Sequence, residues 1–206
     1  MKYLLSLLLF STTVVFSFAQ DQSACDGERY RFEVFTETDS TLAVKYGENT
    51  TNGGNFQELF MDIYEPVGDT ASQRPVIIFA FGGSFVSGDR KQLKELCERL
   101  AKRGFVTASI DYRLYDKGFF PFPTQDDVVD EVIKAISDMK AAVRFIIEDI
   151  DTANTYRIDP NQIFVGGVSA GAITAAHIAM LDSTELTEED SLITQAIANN
   201  GGWQGN

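Results

Sequence analysis

The residues most able to do chemistry lie in one short segment, Gly167-Val168-Ser169-Ala170-Gly171. It has the form G-x-S-x-G, and it separates an apolar run from an alanine-rich stretch typical of a helix. In this context a sharp turn between strand and helix raises the serine hydroxyl above the edge of a sheet. We therefore predict that Ser169 is a nucleophile, with a purely structural turn as the alternative.

A second glycine-rich segment, Phe81-Gly82-Gly83-Ser84-Phe85, follows an earlier apolar run. Attack of a serine on a carbonyl creates an oxyanion, which main-chain N–H groups stabilise when they are already aimed at it. Small residues at the end of a strand let the chain bend and present such groups. The segment is predicted to form an oxyanion loop, with an ordinary glycine turn as the alternative.

Hydrophobic periodicity predicts the elements that must position these two segments. Alternating apolar and polar residues predict half-buried strands over residues 30–35, 42–46 and 59–64. Asn and Gly residues predict a surface loop over 47–54. An unbroken apolar run predicts a buried parallel strand over 76–81, and further strands are predicted over 105–110 and 163–168.

Helical spacing of apolar residues predicts three helices, over residues 91–102, from Thr124 to about residue 150, and over 170–181. Thr124 and Asp127 have the spacing of a capping box, and residues 158–161 are typical of a turn. Strands come first and strand–helix alternation follows, which predicts one α/β domain with leading antiparallel strands.

Together these residues resemble the α/β-hydrolase superfamily, specifically its esterase/lipase, carboxylesterase-like branch. The resemblance runs from about Leu59 to Leu181. Its further motifs are Asp111-Tyr112-Arg113, Phe122-Pro123, residues 138–146 and Ile158-Asp159-Pro160. It implies an α/β-hydrolase fold with three αβα layers, a mostly parallel sheet and antiparallel N-terminal strands.

By position, the resemblance implies Ser169 as the nucleophile and the N–H groups of Gly83, Ser84 and Ala170 as the oxyanion hole. Phe81 stands where the family commonly has His, and Ser84 where it has a third Gly. Because main-chain N–H groups form the hole, these two changes need not abolish it.

The family's chain order is serine, then acid, then His, and only a short segment follows Ser169. His177, the one His of the chain, would lie about 12 Å along a helix axis from Ser169. We predict that it is a helix-face residue, and that the acidic residues over 182–190 form a solvated surface. We expect an N-terminal fragment, with the C-terminal strands, acid and His beyond Asn206.

The expected function is that of a serine hydrolase, which cleaves small-molecule carboxylic esters through an acyl-enzyme on Ser169 without a cofactor. One alternative is a serine peptidase of the same fold, although the elbow of those enzymes usually has an aromatic residue where this chain has Ala170. Another is a non-catalytic binding module, which the missing acid and His favour and the intact elbow and oxyanion residues disfavour. The acyl and alcohol groups of the substrate do not follow from the sequence.

The N-terminal segment predicts export. Lys2 precedes an apolar run over 4–18, and small residues at 17 and 19 suit a signal peptidase. We therefore expect a signal peptide over 1–19, a domain over 20–206 and a secreted or periplasmic protein. Because the run is shorter than a membrane span, no stable membrane anchor is expected. Export permits a disulfide between Cys25 and Cys97, with two unpaired thiols as the alternative.

Composition narrows the classes of partner. The chain has 30 acidic against 17 basic residues and a formal net charge of −13, the wrong sign for binding the phosphates of a nucleic acid. One His and two distant Cys also exclude zinc sites of the usual ligand spacing. A small-molecule substrate is therefore expected, and a nucleic acid is not.

Overall fold

The computed structural model describes residues 27–118, 120, 122–180, 191–200 and 202. Its centre is a five-stranded sheet in the order β1-β2-β4-β3-β5. The strands are β1 (Thr38–Thr50), β2 (Phe56–Pro66), β3 (Arg74–Ala80), β4 (Val106–Ile110) and β5 (Ile158–Gly167). The helices are α1 (Lys94–Ala101), α2 (Gln125–Thr152), α3 (Ala170–Met180) and α4 (Ser191–Asn199), with a 3-10 helix at Arg90–Leu93. The predicted signal segment and Cys25 lie outside the described residues.

The sheet is mixed, as the sequence predicts. β1 pairs with β2 and β2 with β4 in antiparallel fashion, whereas β4, β3 and β5 run parallel. β3 lies between two parallel neighbours, and its Val76, Ile78 and Ala80 are fully buried. An apolar run without a polar face suits this position, because helices cover both faces of such a strand.

Helices complete the three layers. α1 packs against β2 and β4, and the Thr107 hydroxyl donates to the Cys97 carbonyl, 3.0 Å away. α2 and α3 pack against each other and against β3 and β5. The predicted capping box starts α2, since Thr124 and Asp127 each accept a hydrogen bond from the other's main-chain N–H. Within the described part of the chain, no helix has the length and apolarity that crossing a bilayer requires.

The strand predicted over residues 30–35 is wrong. The N–H groups of Val34 and Phe35 donate to the Lys102 carbonyl, and that of Tyr30 donates to the Arg103 carbonyl. The segment therefore caps the carboxyl end of α1 and joins no sheet, although its residues alternate in polarity. Alternating polarity shows which side chains lie on the same face of an extended segment, but it does not show which groups pair with its backbone N–H and C=O groups.

Two predicted irregular segments contain more strand than expected. β1 continues to Thr50, because residues 47–50 pair with the first residues of β2, and the turn is confined to residues 51–55. β5 already begins at Ile158, which pairs with Arg74. The register then shifts before Ile163, and Asp159 accepts from the N–H of Asn161 within this irregular stretch. A local turn is present there, but inside the strand.

A buried ion pair joins the loop after β4 to the middle of α2. Arg113 Nη2 lies 2.7 Å from Asp138 Oδ1, and the two side chains are 1% and 4% exposed. Arg113 also donates through Nη1 to the Thr50 carbonyl, 2.9 Å away. The pair thus fixes three segments that are far apart in the sequence.

We expect Asp138→Asn to lower the free energy of unfolding by about 3–5 kcal/mol, because it leaves the buried Arg113 guanidinium without its counter-charge. Urea unfolding followed by circular dichroism measures the change. The control is Glu48→Gln, which breaks an exposed pair with Lys45 and should cost less than about 1 kcal/mol. Equal losses for the two variants would contradict the assigned role of the buried pair.

Cys97 is fully buried, and burial raises the pKa of its thiol to about 12. We expect no reaction of this thiol with iodoacetamide in the folded protein at pH 8, because the thiolate is the reactive form. Mass spectrometry after unfolding, with and without a reductant, then tests the predicted disulfide. Alkylation of both cysteines in denaturant alone would show that Cys25 and Cys97 are unpaired.

Candidate active site

Ser169 occupies the tight turn that the sequence predicts between β5 and α3. Its φ is +51°, in the left-handed region that residues with a side chain rarely adopt, and the residue is exposed. A Cβ on Gly167 would overlap the backbone of Gly171, and one on Gly171 would overlap the Ala80 carbonyl. Both glycines are therefore required by the close crossing of helix and strand.

The turn is attached to the end of β3, where the glycine-rich loop begins. The N–H of Val168 donates to the Ala80 carbonyl, 3.1 Å away. A Cβ on Gly82 would lie 2.9 Å from the Val168 carbonyl oxygen and 3.1 Å from the Ser169 Cβ. The two segments predicted to cooperate are thus in contact.

The glycine-rich loop turns through three successive residues with positive φ: Gly83 at +134°, Ser84 at +54° and Phe85 at +62°. The N–H groups of Val86 and Ser87 both donate to the Gly83 carbonyl, which closes the turn. Among the described residues, nothing accepts a hydrogen bond from the N–H groups of Gly83, Ser84 or Ala170. The assignment of these three donors to the oxyanion hole therefore remains a prediction.

Buried polar contacts hold this loop. Phe81 is 1% exposed, its ring stacks on Tyr112 at 4.3 Å between centroids, and its carbonyl accepts from the Tyr112 hydroxyl, 2.9 Å away. Burial raises the pKa of Tyr112, so this hydroxyl keeps its proton and remains a donor. Phe81 stands where the family commonly has His, and here it packs the base of the loop.

The segment after the loop is held by ion pairs. Asp89 caps the 3-10 helix by accepting a hydrogen bond from the N–H of Lys91, 2.8 Å away. Arg90 lies between two carboxylates, with Nε 2.8 Å from Asp62 and Nη1 2.6 Å from Asp111. Asp111 therefore anchors this segment, as Arg113 anchors the loop after β4.

His177 does not belong to the site. Its Nδ1 lies 2.7 Å from the carbonyl oxygen of Ile173, one turn back along α3, which confirms it as a helix-face residue. The acidic residues over 182–190 lie outside the described part of the chain. Among the described residues, Ser169 thus lies against the glycine-rich loop at Gly82, and His177 bonds within its own helix.

The aromatic segment before α2 differs from expectation. Two roles are open to this segment from its sequence, packing over the sheet or lining a substrate pocket, and we expect packing. Phe120 and Phe122 are instead 85% and 72% exposed, and their rings contact each other at 5.6 Å between centroids. Packing over the sheet is therefore wrong for these two residues, and Phe119 and Pro121 lie outside the described residues.

Glu131 is a buried residue beside the glycine-rich loop that the sequence did not single out. It is 2% exposed and lines a small cavity with Ser84 and Phe85 of the glycine-rich loop. Burial raises the pKa of its carboxyl group to about 8. A signal was present in the sequence: Glu131 lies three residues after Val128 and four before Ala135, which is the spacing of one helix face.

Comparison with known proteins then identifies the family. The BD-FAE family model matches residues 61–200, which is well over half of the chain. The chain belongs to the BD-FAE family. The match includes both glycine-rich segments and the whole of α2.

Similar curated proteins are esterases. A relative named "Probable isoprenylcysteine alpha-carbonyl methylesterase ICME" from Oryza sativa subsp. japonica is 35% identical over 134 residues, which is 65% of this chain and 27% of that protein. "Gut esterase 1" of Caenorhabditis elegans is 29% identical over 67% of this chain and 24% of its own length. The BD-FAE chain thus spans less than a third of each of these relatives.

Solved structures agree on the fold. Thermogutta terrifontis esterase 2, in a form phosphorylated by paraoxon, is 28% identical with a TM-score of 0.54, over 76% of this chain and 54% of that one. Its apo form is 29% identical with a TM-score of 0.55. The BD-FAE chain therefore has an α/β-hydrolase esterase fold, of which the described residues form a part.

The positive φ of Ser169 should affect the free energy of unfolding. We expect Ser169→Gly to raise the free energy of unfolding by about 1 kcal/mol relative to Ser169→Ala, because glycine adopts a positive φ without a steric cost. Thermal and urea unfolding of the two variants measure the difference. If Ser169→Gly is the less stable of the two, the turn is not strained in solution.

Proposed function

We propose that this BD-FAE chain belongs to a carboxylic ester hydrolase that works through an acyl-enzyme on Ser169. The observation that carries the proposal is the exposed Ser169 at φ +51°, in contact with a loop whose Gly83 and Ser84 N–H groups have no acceptor among the described residues. Such donors are already in place before the reaction, so they lose no free energy to reorganisation when the oxyanion forms. The esterase relatives support the same reaction class.

In the proposed reaction, Ser169 Oγ attacks the carbonyl carbon of the ester and its proton passes to a general base. Negative charge develops on the carbonyl oxygen, where the N–H groups of Gly83, Ser84 and Ala170 stabilise it. The tetrahedral intermediate then expels the alcohol, which takes the proton, and water hydrolyses the acyl-enzyme. We place the general base outside the described residues, because His177 contacts its own helix.

The sequence over 1–19 supports a further part of the proposal, which is export of the protein. A cleaved signal peptide would place the new N-terminus at Gln20. Edman or mass-spectrometric sequencing of the mature protein tests it, since an intact Met1 would contradict cleavage.

The full-length gene product should react with a fluorophosphonate probe at Ser169 and hydrolyse p-nitrophenyl butyrate. Ser169→Ala should abolish both, because the nucleophile is removed while the fold is kept. Ser40→Ala, which removes an exposed hydroxyl on β1, is the matched control and should behave like the wild type. Thermogutta terrifontis esterase 2, phosphorylated by paraoxon, is the precedent for this kind of label among the similar structures.

Mass spectrometry of the labelled peptide gives the decisive result. Labelling at a serine other than Ser169 would overturn the assignment of the nucleophile. A folded protein with neither labelling nor turnover would instead favour the non-catalytic binding module.

A further inference from the structure

A buried carboxyl group beside the glycine-rich loop has no hydrogen-bond partner in the part of the chain that the structure describes. Neither carboxyl oxygen of Glu131 forms a hydrogen bond with any described residue. An unpaired carboxylate in an apolar setting is strongly unfavourable, and buried polar groups of native proteins are nearly always hydrogen-bonded. Such a group at a candidate active site points to a ligand that supplies the missing partner.

The charged groups around Glu131 are already engaged elsewhere. Charged side chains on α2 and on the loop after β4 act on the Glu131 carboxyl group. In the described part of the chain, however, each of the cations forms an ion pair with another carboxylate. The pairs are Lys134–Asp130 at 3.0 Å, Arg113–Asp138 at 2.7 Å and Lys117–Asp127 at 2.7 Å. Glu131 is therefore the one carboxyl group of this cluster without an ion pair among the described residues, although the charges of Lys134 and Arg113 act to lower its pKa.

The cavity next to Glu131 sets the size of the missing partner. Its volume is about 50 Å³, and its walls are largely apolar. They include Ser84 and Phe85 of the glycine-rich loop, Tyr115 of the loop after β4, and Val128, Glu131 and a second acidic residue, Asp127, of α2. Since an apolar cavity of about 150 Å³ holds a benzene ring, this one admits roughly two or three non-hydrogen atoms.

We propose that this cavity is a subsite for a compact group of the substrate that donates a hydrogen bond, either a primary ammonium or a hydroxyl. The Glu131 carboxyl group accepts that hydrogen bond. The assignment rests on the proposed function, because Ser84 belongs both to the cavity wall and to the predicted oxyanion loop. The substrate class is thus an ester whose acyl or alcohol part ends in such a donor.

The protonation of Glu131 agrees with this assignment. Burial raises the pKa of its carboxyl group to about 8 despite the nearby charges of Lys134 and Arg113, so at pH 7 the group is mainly neutral. An ammonium ion in the cavity would favour the ionised form and release a proton to solvent. Between pH 6 and 8 the affinity for an ammonium should therefore rise with pH, whereas that for a hydroxyl should change less.

Direct binding tests the subsite without any need for catalysis. In the full-length protein labelled with [5-¹³C]glutamate, the resonance missing from Glu131→Gln identifies Glu131. We expect ethylammonium chloride, and more weakly ethanol, to shift this resonance saturably. The matched control Glu148→Gln removes an exposed carboxyl group from the same helix and should leave both shifts unchanged. No shift at the highest probe concentration that leaves the fold intact would overturn the proposal and leave a cavity for water only.

Kinetics on matched esters tests the subsite in the reaction. Methyl butyrate, methyl 3-hydroxypropanoate and methyl 3-aminopropanoate have equal numbers of non-hydrogen atoms, and propyl and 2-hydroxyethyl acetate form the corresponding alcohol pair. Glu131→Gln should lower kcat/KM for the amino ester, relative to methyl butyrate, about tenfold. Glu131→Met should also lower it for the hydroxyl esters, since it removes the acceptor.

The two failures are distinguishable. Turnover of all the esters with ratios that neither Glu131 variant changes would overturn the subsite alone. Absence of any turnover, with no labelling of Ser169, would count against the proposed function, and the resonance shifts would then decide whether the cavity binds the donor group.

Discussion

The start of α3 crosses the end of β3 so closely that the backbone leaves no room for a side chain at the crossing. Gly171 meets the Ala80 carbonyl there, and Gly167 meets Gly171. The chain must reverse between these glycines, and the reversal forces Ser169 to a φ of +51°. Pairing of β5 with β3 and the bond from Val168 to Ala80 hold this strained turn. The position of the exposed serine is thus a consequence of how helix and strand pack.

The loops around this crossing are held by buried polar contacts. Arg113 ties the loop after β4 to α2, and Arg90 bridges two carboxylates below the glycine-rich loop. In a low-dielectric interior, a polar atom without a hydrogen-bond partner costs free energy. Such pairs therefore keep the geometry in which each atom has its partner. They therefore fix loops from different strands in one arrangement, which a purely apolar contact would leave freer to shift.

Two buried ionisable groups show how differently burial can act. The thiol of Cys97 lies in the apolar layer between α1 and the sheet, where burial raises its pKa and leaves it unreactive. Glu131 is buried to a similar degree, but its carboxyl group borders a cavity against the glycine-rich loop. A small apolar group can be buried for packing alone, whereas a carboxyl group needs a hydrogen-bond partner. Its location next to the candidate site is for this reason informative.

The sequence by itself determined the parts of the molecule that depend on local patterns. The unbroken apolar run before Gly82, the capping box at Thr124 and the G-x-S-x-G turn all lie where they were predicted, because their causes act within a few residues. Only the tertiary structure decided that residues 30–35 cap α1, that β1 continues to Thr50 and that Glu131 is buried beside Ser84. Each of these outcomes depends on a partner far away in the chain, and periodicity carries no information about such partners.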